Sequence, residues 1–372
     1  MNHVEIGPIR PPSESDSLLI RVTRGCHWNK CYFCGLYKSM SFSMRPIDEI
    51  IDDIRQQSEL YRDRNYVSCF LQDGDALVLK TEYLVRILDA IRKYFPLLKH
   101  ITTYARADSI TRKSPSELTE LRRAGLDHLY CGMETGSDSV LKLINKGFNA
   151  DTVIKSGCMA KEAGMTLSEF ILLGIGGKEL SNENAIKTAE ALNIIKPDFI
   201  RVHATGFKPE SKMGEFIREG TVTLQSEEEI VMEQKLFLQT LDKMDSYYVN
   251  EHAVNLLLEV RGNLKTDKET MTAAIDRFLN LSSNEKTFCL PLAVGLMCFS
   301  FWMIYRNLIY TKKRKNCCSG SCKKIRILIF PHFVIIFDSL KFRDGYCYQI
   351  KLHPLFIKDF FTLSNFPFLM NK

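Results

Sequence analysis

The first two hundred residues alternate short apolar runs with longer segments in which apolar residues recur at helical spacing. Short apolar runs rich in β-branched and aromatic residues predict strands, whereas apolar positions three and four residues apart predict amphipathic helices. One such helix carries Ile47, Ile50, Ile54 and Tyr61 on a single face. The predicted strands are Leu18–Thr23, Val67–Gln72, His100–Ala105, Asp127–Met133, Thr166–Leu173 and Phe199–Ala204.

Helix boundaries are marked by capping residues. Ser114 and Glu117 form a capping box with Pro115 at the first helical position, and Gly125 ends that helix. Ser226 opens a second capping box, and Asp267 begins a last helix. These signals predict that helices continue beyond the final strand.

Strands that alternate with helices indicate an α/β fold with a parallel sheet and right-handed crossovers. Six units are fewer than the eight of a closed barrel, so we predict a partial (β/α)6 TIM-barrel-like core with C-terminal helices. The predicted division is a polar N-terminal segment at 1–16, the core at 17–215, a helical extension at 216–285 and an atypical tail at 286–372.

Composition and charge separate the tail from the rest of the chain. The 372 residues are 45% apolar and 25% charged, which excludes a disordered or collagen-like chain. The net charge of +6 is uneven, because residues 288–372 hold 13 bases against 3 acids and residues 1–287 hold 37 bases against 41 acids. The core is thus mildly acidic, which gives no support to nucleic-acid binding.

The N-terminus lacks the apolar stretch of a secretory signal, so we expect a cytoplasmic core. Twelve cysteines in such a chain favour thiols or metal ligands over disulfides. Three of them lie within nine residues, at Cys26, Cys31 and Cys34, directly after the first predicted strand. Soft thiolates on a loop suit zinc or an iron–sulfur cluster, and unliganded thiols are the remaining interpretation. A zinc site needs a fourth ligand, for which His27 is awkwardly placed beside Cys26.

This cysteine segment resembles the cluster loop of the radical S-adenosylmethionine (SAM) enzymes, whose usual pattern is C-x3-C-x-φ-C. Phe33 occupies the aromatic position, and Gly25 and Gly35 flank the loop. Four residues rather than three separate Cys26 from Cys31. The resemblance covers about residues 17–285 and implies that the three cysteines bind a [4Fe–4S] cluster.

Two further segments resemble family motifs that contact SAM. Gly74 and Asp75 follow the second strand, where the family has Gly-Gly-Glu-Pro, and the resemblance implies that they hold the amino group of SAM. Glu134 ends the fourth strand in a segment similar to G-x-E-x-G, which implies a contact with ribose or the amino group. An acidic turn and a carboxylate at a helix start are the respective alternatives.

The remaining candidates also follow predicted strands. Gly174 and Gly176 resemble the family segment that packs against adenine. Arg106 could form a bidentate pair with the SAM carboxylate, and His203 is a candidate substrate contact or proton relay. For Arg106 and His203, a salt bridge or a core position is an equal alternative.

The resemblance implies an enzyme that cleaves SAM reductively and generates a 5′-deoxyadenosyl radical for hydrogen abstraction from a substrate. It further implies SAM and a [4Fe–4S] cluster as cofactors and an electron donor such as a flavodoxin or ferredoxin. Two other functions stay open: a zinc-stabilised binding protein, and a membrane-tethered iron–sulfur electron carrier without a SAM site.

The tail has its own alternatives. Residues 288–305 are an uncharged run of 18 residues followed by basic residues, which is one pattern of a membrane tether. A core helix, or a shifted reading frame that replaced the native terminus, would also explain the change in composition. Cys317, Cys318 and Cys322 form a second cysteine group, which we interpret as part of an unstructured basic segment.

Overall fold

The computed structural model describes residues 7, 9–252, 255–282, 286 and three strands between 323 and 352. The chain divides into two compact units, residues 1–299 and 300–372. Among the described residues, no helix is long and apolar enough to cross a membrane. The predicted tether at 288–305 and the cysteines at 317, 318 and 322 lie outside the described residues.

The strands of the first unit build one large sheet and one small ladder. In chain order they are β1 (Leu18–Arg21), β2 (Thr23–Arg24), β3 (Ser43–Met44), β4 (Ser68–Gln72), β5 (His100–Ala105), β6 (Leu126–Glu134), β7 (Thr166–Leu173), β8 (Phe199–Ala204), β9 (Tyr247–Val249) and β10 (Gly262–Asn263).

The helices lie between these strands in the order that a βα repeat requires. They are α1 (Ile47–Leu60), α2 (Thr81–Tyr94), α3 (Ala107–Thr111), α4 (Pro115–Ala124), α5 (Asp138–Leu143), α6 (Ala150–Glu162), α7 (Gly177–Ile195), α8 (Lys212–Arg218), α9 (Glu227–Thr240) and α10 (Lys268–Leu279). Short 3-10 turns occur at Pro12–Glu14 and Ala76–Val78.

The large sheet has the strand order β1-β4-β5-β6-β7-β8-β9-β10. All neighbours from β1 to β9 are parallel, and only β10 runs antiparallel, against β9. The six predicted strands are confirmed, three of them with the same bounds. The sequence missed β9 because three residues carry too short a pattern, so the sheet has one parallel strand more than the predicted six.

Capping explains where several helices begin and end. Both predicted capping boxes form, at Ser114 with Glu117 and at Ser226 with Glu229. Gly125 ends α4 in the left-handed conformation, as predicted. Asp267 does precede α10, but its carboxylate accepts from the backbone N–H of Asn263 instead of from the helix.

The main core lies between the sheet and the helix layer, because alternate side chains of each strand face the helices. Leu71, Leu129, Leu167 and Ile200 are fully buried there. The opposite side chains face the barrel interior and are largely aromatic. Tyr104, Tyr130 and Phe170 contact one another at centroid distances of about 6.2 Å.

The second unit contains a three-stranded antiparallel sheet with the order β11-β12-β13. Its strands are β11 (Lys323–Phe330), β12 (Phe333–Phe342) and β13 (Gly345–Leu352). Sequential antiparallel pairing of this kind is a meander, in which each strand pairs with the one that follows it.

Candidate functional site

The three cysteines lie on one loop at the carboxyl end of β1. This cluster loop, residues 25–42, is closed at its base by the antiparallel pairing of β2 with β3. Cys31 is buried, and Cys26 and Cys34 are partly exposed, all with free thiols. Burial raises the pKa of Cys34, and the neighbouring Cys31 contributes in the same direction. The loop therefore holds three thiols at the edge of the sheet where sites of parallel barrels lie.

The four-residue spacer between Cys26 and Cys31 is accommodated by a left-handed residue. Asn29 has a φ of +46°, a conformation that asparagine adopts more readily than most residues. Its side-chain amide donates to the carbonyls of Tyr37 and Met40 at 2.7 and 3.3 Å. The extra residue is thus absorbed in a turn that is bonded to the far side of the loop.

A second segment, residues 144–147, clamps the cluster loop from outside. The indole N–H of Trp28 donates to the carbonyl of Asn145 at 2.9 Å, and the backbone N–H of Tyr32 donates to another carbonyl of this clamp segment. Gly147 has a φ of +91°, and a Cβ at this position would stand 2.5 Å from the Trp28 ring. Glycine is required here both for its backbone conformation and for the close contact.

The loop after β4 presses against the cluster loop. The backbone N–H of Gly74 donates to the carbonyl of Gly25 at 3.2 Å. A Cβ on Gly74 would lie 3.2 Å from both the Cβ of Cys26 and the ring of Tyr37. Asp73 adds a bond from the other direction, because its Oδ2 accepts from the backbone N–H of Gly25 at 3.0 Å. Gly74 is therefore a close-approach glycine against the cluster loop, and its predicted contact with SAM stays a prediction.

Asp75 is a buried carboxylate with one oxygen bonded and the other open. Its Oδ2 accepts from the hydroxyl of Ser109 at 2.5 Å and lies 3.1 Å from Nδ1 of His27. Its Oδ1 is buried and has no hydrogen-bond partner among the described residues. Buried carboxylate oxygens are normally paired, so an open one marks a place for a donor such as an ammonium group.

His27 faces carboxylates and not the other cysteines. Its Nε2 lies 3.4 Å from Asp108. Hydrogen bonding raises the pKa of His27 to about 9, with the larger contribution from Asp108 and the smaller from Asp75. Both imidazole nitrogens are directed at carboxylates, so the ring presents neither nitrogen to the thiols. The structure thus gives His27 no role as a fourth ligand.

Glu134 ends β6 at an irregularity of the sheet. Its φ is +66°, and the register between β6 and β7 shifts between Gly132 and Glu134. Helix α5 begins only at Asp138, so Glu134 is a strand-end residue and not a carboxylate at a helix start. Its Oε1 accepts from Nζ of Lys146 at 2.6 Å, and both side chains are mostly buried.

Lys146 is the clearest residue that the sequence analysis missed. Burial opposes its charge, but Glu134 and the nearby Cys31 outweigh the burial and raise the pKa of Lys146. A permanent cation therefore lies beside the cluster loop. A lysine after a short helix carries no local signal for such a place, because only the packing of the clamp segment brings it there.

Arg106 lies behind the clamp segment in a well-bonded, buried position. Its Nε donates to Asp108 at 2.9 Å, and one terminal nitrogen donates to the carbonyl of Lys146 at 2.9 Å. Its guanidinium also lies 5.6 Å from the Trp28 ring centroid. Arg106 is thus a buried, hydrogen-bonded residue behind the clamp segment, in agreement with the core position considered as its alternative. Its guanidinium is a second buried cation next to Lys146.

The end of β7 contributes both glycines and an apolar contact with the cluster loop. Phe33 packs against a small apolar cluster that includes Leu172 and Ile175. Gly174 is left-handed, with a φ of +79°, and its N–H donates to Glu233 of α9. Gly176 lies so close to the first turn of α7 that a Cβ would stand 2.9 Å from another side chain. The structure thus brings Phe33 to this strand end, while Gly174 and Gly176 serve close helix packing.

His203 faces the barrel interior on β8. Its ring stacks on that of His252 at 4.1 Å and contacts Phe170 at 5.3 Å. Burial lowers the pKa of His203 to about 3 and also lowers the pKa of His252. The pair is therefore neutral at physiological pH, and His252, on a loop far along the chain, was not predicted.

Two metal chemistries, a zinc ion and an iron–sulfur cluster, are compatible with three cysteine thiols. Within the described parts of the chain, no three His, Cys, Asp or Glu side chains surround a point where a single metal ion would sit. Zinc needs all its sulfur ligands at about 2.3 Å from one ion, whereas an iron–sulfur cluster takes each thiolate on a different iron. Three soft thiols on one loop, with Gly74 packed against Cys26, are a donor set that suits an iron–sulfur cluster.

Comparisons with known proteins agree with this geometry. Residues 20–192 match the family model described as the Radical SAM superfamily. The chain is 21% identical over 231 residues to the heme chaperone HemW of Bacillus subtilis, covering 60% of this chain and 59% of that protein. It is 24% identical to the oxygen-independent coproporphyrinogen III oxidase of Salmonella typhimurium, covering 52% of this chain and 42% of that protein.

Among solved structures, coproporphyrinogen III oxidase (HemN) from Escherichia coli is similar, with a TM-score of 0.46 and 20% identity. The matched part covers 62% of this chain and 53% of that one. The chain therefore spans only about half the length of the relatives it matches.

Proposed function

We propose that the chain is a member of the radical SAM superfamily, whose family model matches residues 20–192, and that it cleaves SAM reductively to act on a substrate in the barrel interior. The observation that carries the proposal is the cluster loop itself. Three free thiols lie on one loop at the carboxyl edge of the sheet, where Cys26 packs against Gly74. The next residue, Asp75, has an open carboxylate oxygen.

Members of the superfamily use a [4Fe–4S] cluster and SAM. In this chain Cys26, Cys31 and Cys34 would hold three irons of the cluster, and the fourth would be left for SAM. When bound, these cofactors supply one electron and a 5′-deoxyadenosyl group that, as a radical, removes a hydrogen atom from the substrate.

Different side chains around the cluster loop would bind different groups of SAM. Asp75 would accept from the ammonium group through its open Oδ1, and Gly74 would provide the backbone edge. The carboxylate of SAM would be attracted by the two buried cations, Arg106 and Lys146. Glu134, held by Lys146, is left with its second oxygen for a ribose hydroxyl.

The adenine would lie near the end of β7. Phe33 provides an aromatic face there, and Gly174 and Gly176 keep the strand end free of side chains. His203 offers a neutral imidazole toward the interior, where we propose that it contacts the substrate. The apolar walls exclude water, which protects a reactive radical from side reactions.

The test is anaerobic reconstitution with iron and sulfide followed by addition of dithionite and SAM. We expect about four irons per chain and release of 5′-deoxyadenosine. Cys31→Ser should abolish both, while Cys158→Ser, at a partly exposed cysteine on α6 outside the loop, should change neither. Absence of 5′-deoxyadenosine from a protein with full iron content would refute the proposal.

The same measurements distinguish the two alternatives. A zinc-stabilised binding protein would hold one zinc ion and no sulfide. An electron carrier would hold the cluster but would bind no SAM, and Asp75→Ala would then have no effect on any ligand. Haem and coproporphyrinogen III, which appear in the names of two relatives, are the first substrates to test, by following transfer of deuterium from the labelled substrate into 5′-deoxyadenosine.

A further inference from the structure

The surface around the cluster loop is basic, in contrast to the acidic unit that carries it. Between Arg24 and Arg45 the chain has four bases and no acid, while residues 1–287 hold 37 bases against 41 acids. Lys30 and Lys38 are exposed on the loop itself. The cluster loop is thus a local region of positive charge.

A third lysine, contributed by the connection after β8, lies close to the cluster loop. Lys208, in the connection after β8, is exposed, and its Nζ lies 3.4 Å from the place that a Cβ on Gly35 would occupy. Gly35 directly follows Cys34, so the ammonium group lies next to the residue after the last cysteine of the cluster loop. We name Lys30, Lys38 and Lys208 together with Leu36 the basic rim.

None of the three lysines forms an ion pair with a carboxylate of the described residues. Lys30 lies 5.1 Å from the Trp28 ring centroid, and Lys38 donates to the carbonyl of Asn29. Several lysines elsewhere on this unit do pair with acids, for example Lys161 with Asp198. The charge of the basic rim is therefore left for an external anionic partner.

Leu36 adds an apolar contact point in the middle of this charge. Its side chain is 54% exposed, and it lies two residues beyond Cys34. Met44, at the base of the loop, is 58% exposed. An exposed leucine on the same loop as exposed lysines matches a small interface with an apolar centre and a charged edge.

We propose that the basic rim is the docking surface for an acidic one-electron carrier protein that reduces the cluster. The inference rests on the proposed function, because it assumes the cluster at Cys26, Cys31 and Cys34. In the encounter the reduced carrier loses one electron and the oxidised cluster gains it, with no proton or bond change. Redox encounters need only small, transient interfaces, and opposite charges steer them to fast association.

The test is the rate at which an acidic flavodoxin, in its fully reduced form, reduces the reconstituted cluster in stopped-flow absorbance. Lys30→Glu/Lys208→Glu should slow the reduction at low ionic strength by about tenfold or more, because electrostatic steering accelerates association by 10- to 1000-fold. The wild-type rate should fall with added salt, and the variant should lose most of this dependence.

The matched control is Lys99→Glu/Lys155→Glu. Both lysines are exposed, and Lys99 directly precedes β5, at the amino end of the sheet and away from the cluster loop. The control variant should be reduced at the wild-type rate. Iron content and melting temperature should match among all three proteins, so that a folding defect is recognised.

Two outcomes would overturn the inference. One is an unchanged rate in the rim variant or an equal loss in the control. The other is that the rim variant loses affinity for a single-stranded oligoribonucleotide but keeps its reduction rate, which would assign the rim to a nucleic acid. A separate control distinguishes failure of the proposed function. Photoreduced deazaflavin reduces the cluster without docking of a protein, so if the proposed function is wrong, no variant will produce 5′-deoxyadenosine with this reductant.

Discussion

Gly147 provides the sharpest test of how the clamp segment holds the cluster loop. Gly147→Ala adds one methyl group at a φ of +91°, 2.5 Å from the Trp28 ring. A left-handed residue with a Cβ costs about 1–2 kcal/mol, and overpacking against a ring costs about 1–3 kcal/mol more. We therefore expect the free energy of unfolding to fall by about 2–5 kcal/mol.

Gly164→Ala separates the two contributions. Gly164 is also left-handed, with a φ of +76°, but a Cβ there would meet nothing within 4 Å. Only the backbone cost of about 1–2 kcal/mol should appear in this control. The difference between the two variants measures the clash with the indole ring.

The assay is urea unfolding of the metal-free protein, followed by iron analysis after reconstitution. Gly147→Ala should also lower the iron content, because displacement of Trp28 moves the spacer between Cys26 and Cys31. Adding Trp28→Ala should recover the steric part of the loss. If Gly147→Ala and Gly164→Ala destabilise equally, the clamp described here is wrong.

Three further predictions concern single side chains. Asp75→Asn should weaken SAM binding about 10- to 100-fold in calorimetry at unchanged iron content, since a charged hydrogen bond contributes about 1.5–3 kcal/mol. Unchanged affinity for SAM would mean that another group binds the ammonium. The hydroxyl of Tyr37 is buried without a partner among the described residues. Tyr37→Phe should therefore leave the metal-free protein equally stable or more stable by about 1 kcal/mol. The same variant should shorten the lifetime of the bound cluster in a chelator challenge. Burial lowers the pKa of His128 to about 4, so the stability it contributes is present above its unfolded value of 6.5 and is lost as the pH falls toward 4. The protein should lose about 2 kcal/mol more between pH 7 and pH 5 than His128→Gln does, and equal losses would contradict the burial argument.

The apolar periodicity was sufficient for the elements and their order. Strands such as Thr166–Leu173 and Phe199–Ala204 were predicted with their observed bounds, because continuous apolar runs between helical segments have few alternative structures. The strand β9 was missed, since Tyr247–Val249 is too short for any periodicity and pairs only because β8 offers a free edge.

The candidate site was predictable in part. Residues adjacent in sequence, such as the three cysteines or Gly74 with Asp75, could be recognised because their spacing is local. The partners across the fold could not, because the pairing of Glu134 with Lys146 and the stacking of His203 on His252 join positions that only packing brings together.

The sequence by itself determined the class of the fold, the cysteine loop and the family it resembles, since these depend on local pattern and spacing. The tertiary structure alone decided which oxygen of Asp75 stays open, how the clamp segment holds Trp28, and that Lys208 stands beside Gly35. The physical reason is that parallel strands bring their carboxyl ends to one edge, so that residues more than a hundred positions apart become neighbours around the same loop.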